Sequence, residues 1–129
     1  MVWEISFHAE VTDWLLGLDA NCQNECSKSL QLLRERGPGL GRPTADHVKG
    51  SALGNLKELR VNCPLGRRIR MLFAFDPERM AIVLVAGDKK GEWNSWYPKQ
   101  IRLAERRYLQ HLERSGTNGQ TIFPKPRNT

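Results

Sequence analysis

The sequence predicts an α+β fold in which a mostly antiparallel sheet carries a positively charged face. Near the N-terminus, the spacing of apolar residues changes from every second residue to about every 3.6 residues. Further on, strand-like apolar runs are separated by short turns, and arginines lie within those runs. With 129 residues, the chain has room for one domain with one core. The expected order is β-α-α-β-β-β-α, with the helices packed on one face of the sheet.

The N-terminal third predicts one strand followed by two helices. Apolar residues alternate with other residues over 2–7, and over 9–18 they recur at intervals of three and four, which is typical of an amphipathic helix. A second helix, capped by Asp19 or Asn21, is expected to run to about residue 36 and to stop at Gly37-Pro38. The inner stripe of this second helix is expected to be Cys22, Cys26, Leu30 and Leu33.

Residues 37–55 predict a long loop, because glycine and proline recur there and no apolar period is present. Arg42, His47 and Lys49 lie in this segment and are candidates for contacts to phosphate groups. A solvated connector is the equally weighted alternative.

Residues 56–87 predict strands joined by short turns at 62–66 and 76–79, so neighbouring strands should form antiparallel hairpins. In the middle strand, Arg68 and Arg70 share one face. A register that buries Leu59 against Phe73 would place Arg60 near Arg70. Burying an unpaired cation is costly, so this face is expected to meet water or an anionic partner, and RNA is the first candidate.

The C-terminal part predicts one helix from about Lys99 to Arg114, with an inner stripe of Ile101, Ala104, Tyr108 and Leu112. We expect residues 1–114 to form the domain and residues 115–129 to form a flexible tail.

Composition narrows the class of protein. Twenty Lys and Arg against fourteen Asp and Glu give a net charge of +6, which suits a nucleic acid, an acidic protein or solubility alone. Cys22 and Cys26 are expected to be buried thiols in a helical seam, since zinc needs four ligands and only Cys63 and three scattered histidines remain. No metal or cofactor is expected. No apolar run approaches the roughly 18 residues of a membrane span, and we expect a cytoplasmic protein.

Residues 40–97 also contain short motifs in a characteristic order. They are Leu40-Gly-Arg-Pro43, Lys49-Gly-Ser51, Asn55-Leu-Lys-Glu-Leu-Arg60, Arg70-Met-Leu-Phe73, Ala86-Gly-Asp-Lys-Lys90 and Trp93-Asn-Ser-Trp-Tyr97.

Together these motifs resemble the HigB branch of the RelE/ParE toxin superfamily, over roughly residues 1–113. The resemblance implies a RelE-like, microbial-RNase-like fold and the toxin of a type II toxin-antitoxin system. It implies a ribosome-dependent endoribonuclease, or mRNA interferase, that inhibits translation by cutting mRNA on the ribosome. The implied partner is a cognate antitoxin, often a helix-turn-helix protein.

Metal-free RNA cleavage uses the substrate's own 2′-OH as nucleophile and needs a proton acceptor, a proton donor and cations around the phosphorus. The resemblance implies that Arg60 and Arg70 clamp the phosphate, and that Lys89 and Lys90 hold it or transfer a proton. Tyr97 is a candidate proton donor or base-stacking residue. Further RNA contacts are expected from Lys49, Lys57, Arg68, Trp93 and Trp96.

Two points stay open at this level. The tryptophans could instead be hydrophobic staples for the last helix, and the aromatic cluster before Pro98 departs from many relatives, which leaves the proton-transfer residue unassigned. The alternative functions are a ParE-like inhibitor that binds DNA gyrase and an inactive homologue that binds only its antitoxin.

Overall fold

The computed structural model describes residues 2–90 and 95–115 and confirms a mixed α+β fold. Residues 116–129, which make up nearly all of the predicted tail, lie outside this description. The elements in chain order are β1 (Glu4–Phe7), α1 (Ala9–Leu16), α2 (Ala20–Arg36), β2 (Ala45–His47), β3 (Lys57–Cys63), β4 (Arg67–Phe75), β5 (Met80–Asp88) and α3 (Trp96–Ser115).

The five strands form one sheet in the order β1-β5-β4-β3-β2. Strands β2 to β5 are antiparallel, as predicted, and β1 joins β5 in parallel at one edge. Arg60 lies directly opposite Arg70, but Leu59 pairs with Met71 and not with Phe73. The predicted partner of Leu59 was therefore wrong by two residues along β4. The predicted proximity of the two arginines is confirmed.

Strand β2 lies inside the segment predicted as a loop, so that prediction was wrong for these three residues. Ala45 is buried and pairs with Leu59, and Asp46 pairs with Glu58. In a strand of three residues, an alternation of apolar and polar side chains cannot be recognised in the sequence. Strand β2 forms because its backbone pairs with β3 through hydrogen bonds. The element order therefore gains one edge strand relative to the predicted order.

Helices cover both faces of the sheet, which corrects the expectation that they pack on one face. α1 and α2 lie on the face that carries Ile69. α3 packs Ala104 and Tyr108 against Leu72 on the opposite face. The reason is that β4 becomes apolar on both faces beyond Arg70, so its second face also needs a cover. The sheet face that carries Arg60, Arg68 and Arg70, called here the arginine face, therefore lies partly under α3.

The helix limits follow local signals. Asp19 caps α2 by accepting a hydrogen bond from the backbone N–H of Cys22 at 2.8 Å. Gly37 ends this helix with φ +56°, and a Cβ at that position would collide with the ring of Trp3. α3 begins at Trp96, three residues before the predicted start. Its predicted inner stripe is buried as expected: Ile101, Ala104, Tyr108 and Leu112.

The cysteines correct a further prediction. Cys22 and Cys63 form a disulfide, whereas Cys26 is a buried free thiol as expected. The end of β3 lies against the first turn of α2, and the Cα–Cα distance of 5.3 Å falls within the usual disulfide range. A separation of 41 residues hides this contact from sequence spacing. Among the described residues, no helix is long and apolar enough to cross a membrane.

Candidate functional site

The sheet brings together four of the predicted site residues where the arginine face meets the start of α3. Arg60 and Arg70 are cross-strand neighbours, Lys89 follows β5, and Tyr97 lies in the first turn of α3. A fifth residue, Glu58, lies between them. We refer to Glu58, Arg60, Arg70, Lys89 and Tyr97 as the central cluster.

Glu58 is the residue that sequence reasoning missed. Its side chain is buried, and its Oε1 accepts a hydrogen bond from the Tyr97 hydroxyl at 2.6 Å. Its Oε2 accepts a hydrogen bond from Arg60 Nε at 3.0 Å. A usable signal was present, because Glu58 shares a strand face with Arg60 and a buried carboxylate needs charged partners. The carboxylate therefore organises the cluster.

Arg60 is held by two carboxylates, one from its own strand β3 and one from the neighbouring strand β2. Besides Glu58, its Nη2 donates to Asp46 Oδ2 at 3.3 Å. The backbone N–H of His47, followed by Arg60, holds the pKa of Asp46 below its ordinary value despite some desolvation. Strand β2 thus fixes the guanidinium of Arg60 from the sheet edge.

Arg70 is buried, with 7% of its surface exposed. Its Nη1 donates to the Ile69 carbonyl at 2.9 Å, which orients the guanidinium. Its Nε is buried without a hydrogen-bond partner among the described residues, and Glu58 Oε1 lies 3.9 Å away. The carboxylate of Glu58 is therefore the anion that compensates the buried charge of Arg70 at this nitrogen.

Lys89 and Tyr97 complete a hydrogen-bonded chain that ends on Glu58. Lys89 Nζ donates to the Tyr97 hydroxyl at 3.1 Å, and Tyr97 in turn donates to Glu58. Burial and then the charge of Arg70 lower the pKa of Lys89, although Glu58 opposes the shift. Burial and then the hydrogen bond to Glu58 raise the pKa of Tyr97 to about 12. These two hydrogen bonds are therefore suited to moving a proton between Lys89 and Glu58 while the phenol of Tyr97 stays neutral.

Two further predicted residues lie at the rim of the cluster. Arg68 shares the face of Arg70, is half-buried, and its carbonyl accepts a hydrogen bond from the backbone N–H of Lys89 at 3.0 Å. Lys90 is exposed, and its Nζ donates to the Leu65 carbonyl at 2.9 Å. The side chain of Lys90 therefore reaches the β3–β4 turn and not the Tyr97 hydroxyl.

The remaining predicted residues are not in the cluster. Lys57 lies on the other sheet face and donates to the Pro38 carbonyl at 3.2 Å. Lys49 is exposed between β2 and β3. Trp96 is 5% exposed and packs closely over Gly87, which favours the packing alternative over base stacking. Trp93 lies outside the described residues.

The balance of charges determines what this site can bind. Arg60, Arg70 and Lys89 bring three cations around one buried carboxylate, and Asp46 adds a second carboxylate at the edge. Guanidinium and ammonium groups repel a metal ion but bind phosphate or carboxylate oxygens strongly. The arrangement therefore suits a phosphate, with a carboxylate and a phenol beside it for proton transfer.

Comparisons with known proteins identify the family to which this chain belongs. The family model described as "Phage derived protein Gp49-like (DUF891)" matches residues 13–109, more than half of the chain. "Putative toxin HigB2" of Mycobacterium tuberculosis is 42% identical over 102 residues, which cover 79% of this chain and 51% of that protein. "Putative toxin HigB3" of the same organism is 44% identical over 98 residues, which cover 76% of this chain and 83% of that protein.

The chain thus spans about half the length of the first of these relatives and most of the second. The names of both relatives agree with the HigB resemblance drawn from the motifs.

Proposed function

This chain belongs to the Gp49-like family of phage-derived proteins, and we propose that it acts as a toxin that cuts messenger RNA on the ribosome. Its similarity to two proteins named as HigB toxins supports the toxin assignment. We place it in the RelE/ParE superfamily, with a cognate helix-turn-helix antitoxin as partner. Ribosomes lie in the cytoplasm, so this function requires a cytoplasmic location.

One observation carries the nuclease proposal: Arg60 and Arg70 lie directly opposite each other on neighbouring strands, and both guanidinium groups converge beside Glu58. Two adjacent guanidinium groups can donate several parallel hydrogen bonds to the oxygens of one phosphate. Both groups stay charged at any physiological pH, so they can stabilise the charge that develops on phosphorus.

The proton transfers can be assigned to the central cluster. The substrate 2′-OH attacks the adjacent phosphorus and gives its proton to Glu58, while Lys89 gives a proton to the leaving 5′ oxygen. The products are a 2′,3′-cyclic phosphate and a 5′-hydroxyl. Tyr97 is hydrogen-bonded to both Glu58 and Lys89, so it can return the proton from the acid to the amine. This cycle balances without a metal or a cofactor.

The test is end mapping on a defined message, incubated with the purified chain in the presence or absence of translating ribosomes. We expect cuts only with ribosomes, and fragments that end in a 2′,3′-cyclic phosphate. Intact message together with gyrase-dependent DNA damage would contradict the nuclease and favour the ParE-like inhibitor. Intact message with no DNA damage and no growth arrest would favour an inactive homologue.

A further inference from the structure

The chain contains a second cluster of reactive groups on the sheet face opposite the central cluster. The sulfur atoms of Cys22, Cys26 and Cys63 all lie within 4.8 Å of one another, and all three residues are buried. Cys22 and Cys26 are one turn apart on α2, and Cys63 is the last residue of β3. The disulfide uses two of these sulfurs, so one thiol stays in reach of the bond.

We propose that these residues form a thiol–disulfide exchange site in which Cys63 alternates between Cys22 and Cys26. A disulfide bond is about 2.05 Å long, so forming the second bond requires the sulfurs of Cys26 and Cys63 to approach by less than about 3 Å. Rotation of the two side chains about their Cα–Cβ bonds can supply a movement of this size.

The exchange is balanced and needs no external oxidant. The thiolate of Cys26 attacks Cys63 Sγ, the Cys26–Cys63 bond forms, and the Cys22–Cys63 bond breaks. The electron pair of the broken bond leaves on Cys22 Sγ, which takes up the proton that Cys26 lost. The number of disulfides and thiols stays the same, and only their positions change.

Cys22 lies in the first turn of α2, where the helix dipole stabilises a thiolate leaving group and offsets part of the cost of its burial. The carboxylate of Asp19, which caps this turn, is itself paired with Arg67 Nη2 at 2.7 Å and opposes that effect only weakly. Burial followed by Glu25 raises the pKa of Cys26 to about 11, so Cys26 stays a thiol at neutral pH and the exchange is slow there.

The exchange would move the attachment point of β3 by four residues, about 6 Å along α2. The same strand carries Glu58 and Arg60, so β3 connects the disulfide to the central cluster. Any effect of this connection on RNA cleavage rests on the proposed function, whereas the exchange itself does not.

The experiment is peptide mapping of disulfides after equilibration in a reduced and oxidised glutathione buffer. In Cys22→Ser we expect Cys26 and Cys63 to become linked, and in the matched Cys26→Ser variant we expect only the Cys22–Cys63 bond. The proposal would be overturned if Cys26 and Cys63 stay free thiols in Cys22→Ser in the same buffer in which Cys26→Ser forms its disulfide.

A second measurement uses the unaltered chain, in case Cys22→Ser does not fold. The equilibrated protein is quenched with acid and its free thiol is alkylated in denaturant. We expect the label on Cys22 in at least about one molecule in ten, which corresponds to disulfide isomers within about 1.4 kcal/mol. Label on Cys26 alone would overturn the proposal. Neither measurement depends on RNA cleavage.

Discussion

At the scale of single residues, the buried carboxylate of Glu58 explains how two arginines can face each other across neighbouring strands. Like charges directly opposite on a sheet destabilise it, and Glu58 offsets the repulsion between Arg60 and Arg70. Breaking a buried ion pair by removing one partner is strongly destabilising, because it leaves uncompensated charge. The carboxylate is thus part of the stability of the fold as well as of the proposed chemistry.

Glu58→Ala should therefore lower the free energy of unfolding by about 3 kcal/mol, measured by urea denaturation. Glu113→Ala, on the exposed side of α3, is the matched control and should change it by less than about 0.5 kcal/mol. Equal urea midpoints for Glu58→Ala and the unaltered chain would contradict the role of Glu58.

Tyr97 gives a residue-scale prediction in pH. Its pKa is raised from 10.0 to about 12, so the folded state favours the protonated phenol. The resulting stabilisation is complete below about pH 10 and is lost as the pH rises through about 12. In Tyr108→Phe, which leaves Tyr97 as the one tyrosine, phenolate absorbance should reach half its final value near pH 12 in the folded protein. Half-titration near pH 10 with folded circular dichroism would show that Tyr97 is not buried against Glu58.

At the scale of elements, periodic signals predicted the helices, whereas pairing between distant segments escaped prediction. The stripe of Ile101 and Tyr108 in α3 is readable because each helical turn repeats it. Strand β2 and the disulfide between Cys22 and Cys63 depend on partners far along the chain. A local pattern of apolar residues therefore cannot predict them. The role of Glu58 was hidden for the same reason, because Tyr97 reaches it from another element.

The end of α2 allows a prediction with a close control. Gly37→Ala should lower the free energy of unfolding by more than about 1 kcal/mol, since φ is +56° there and a Cβ would meet Trp3. Gly39→Ala, two residues later, meets no atom within 4 Å and should change it by less than about 0.5 kcal/mol. Thermal or urea unfolding of both variants measures these changes in the free energy of unfolding. Similar losses in both would show that space next to Trp3 does not select glycine.

At the scale of the whole molecule, the net charge of +6 gains meaning from its placement. The central cluster and the rim residue Arg68 gather cations on one part of the sheet face, beside the start of α3. Cations that neutralise phosphates in this way make RNA binding weaken as salt rises, through counterion release.

Binding of single-stranded RNA should therefore show a negative slope of log affinity against log salt. Arg68→Ala should make this slope shallower by about 0.7, the value that corresponds to one neutralised phosphate. Arg34→Ala, an exposed charge on α2 on the other side of the sheet, should leave the slope unchanged. An Arg68→Ala slope equal to that of the unaltered chain would exclude Arg68 from the RNA-binding surface.

The central claim is that Arg70 clamps the phosphate that is cut, and the rate of ribosome-dependent message cleavage by Arg70→Ala tests it most directly. Arg34→Ala serves as the charge-matched control, and circular dichroism establishes that both variants are folded. We expect Arg70→Ala to cleave at least about 100-fold more slowly, as is usual when a transition-state donor is removed, while Arg34→Ala cleaves at the unaltered rate. A folded Arg70→Ala variant that cleaves message as fast as Arg34→Ala would contradict the account.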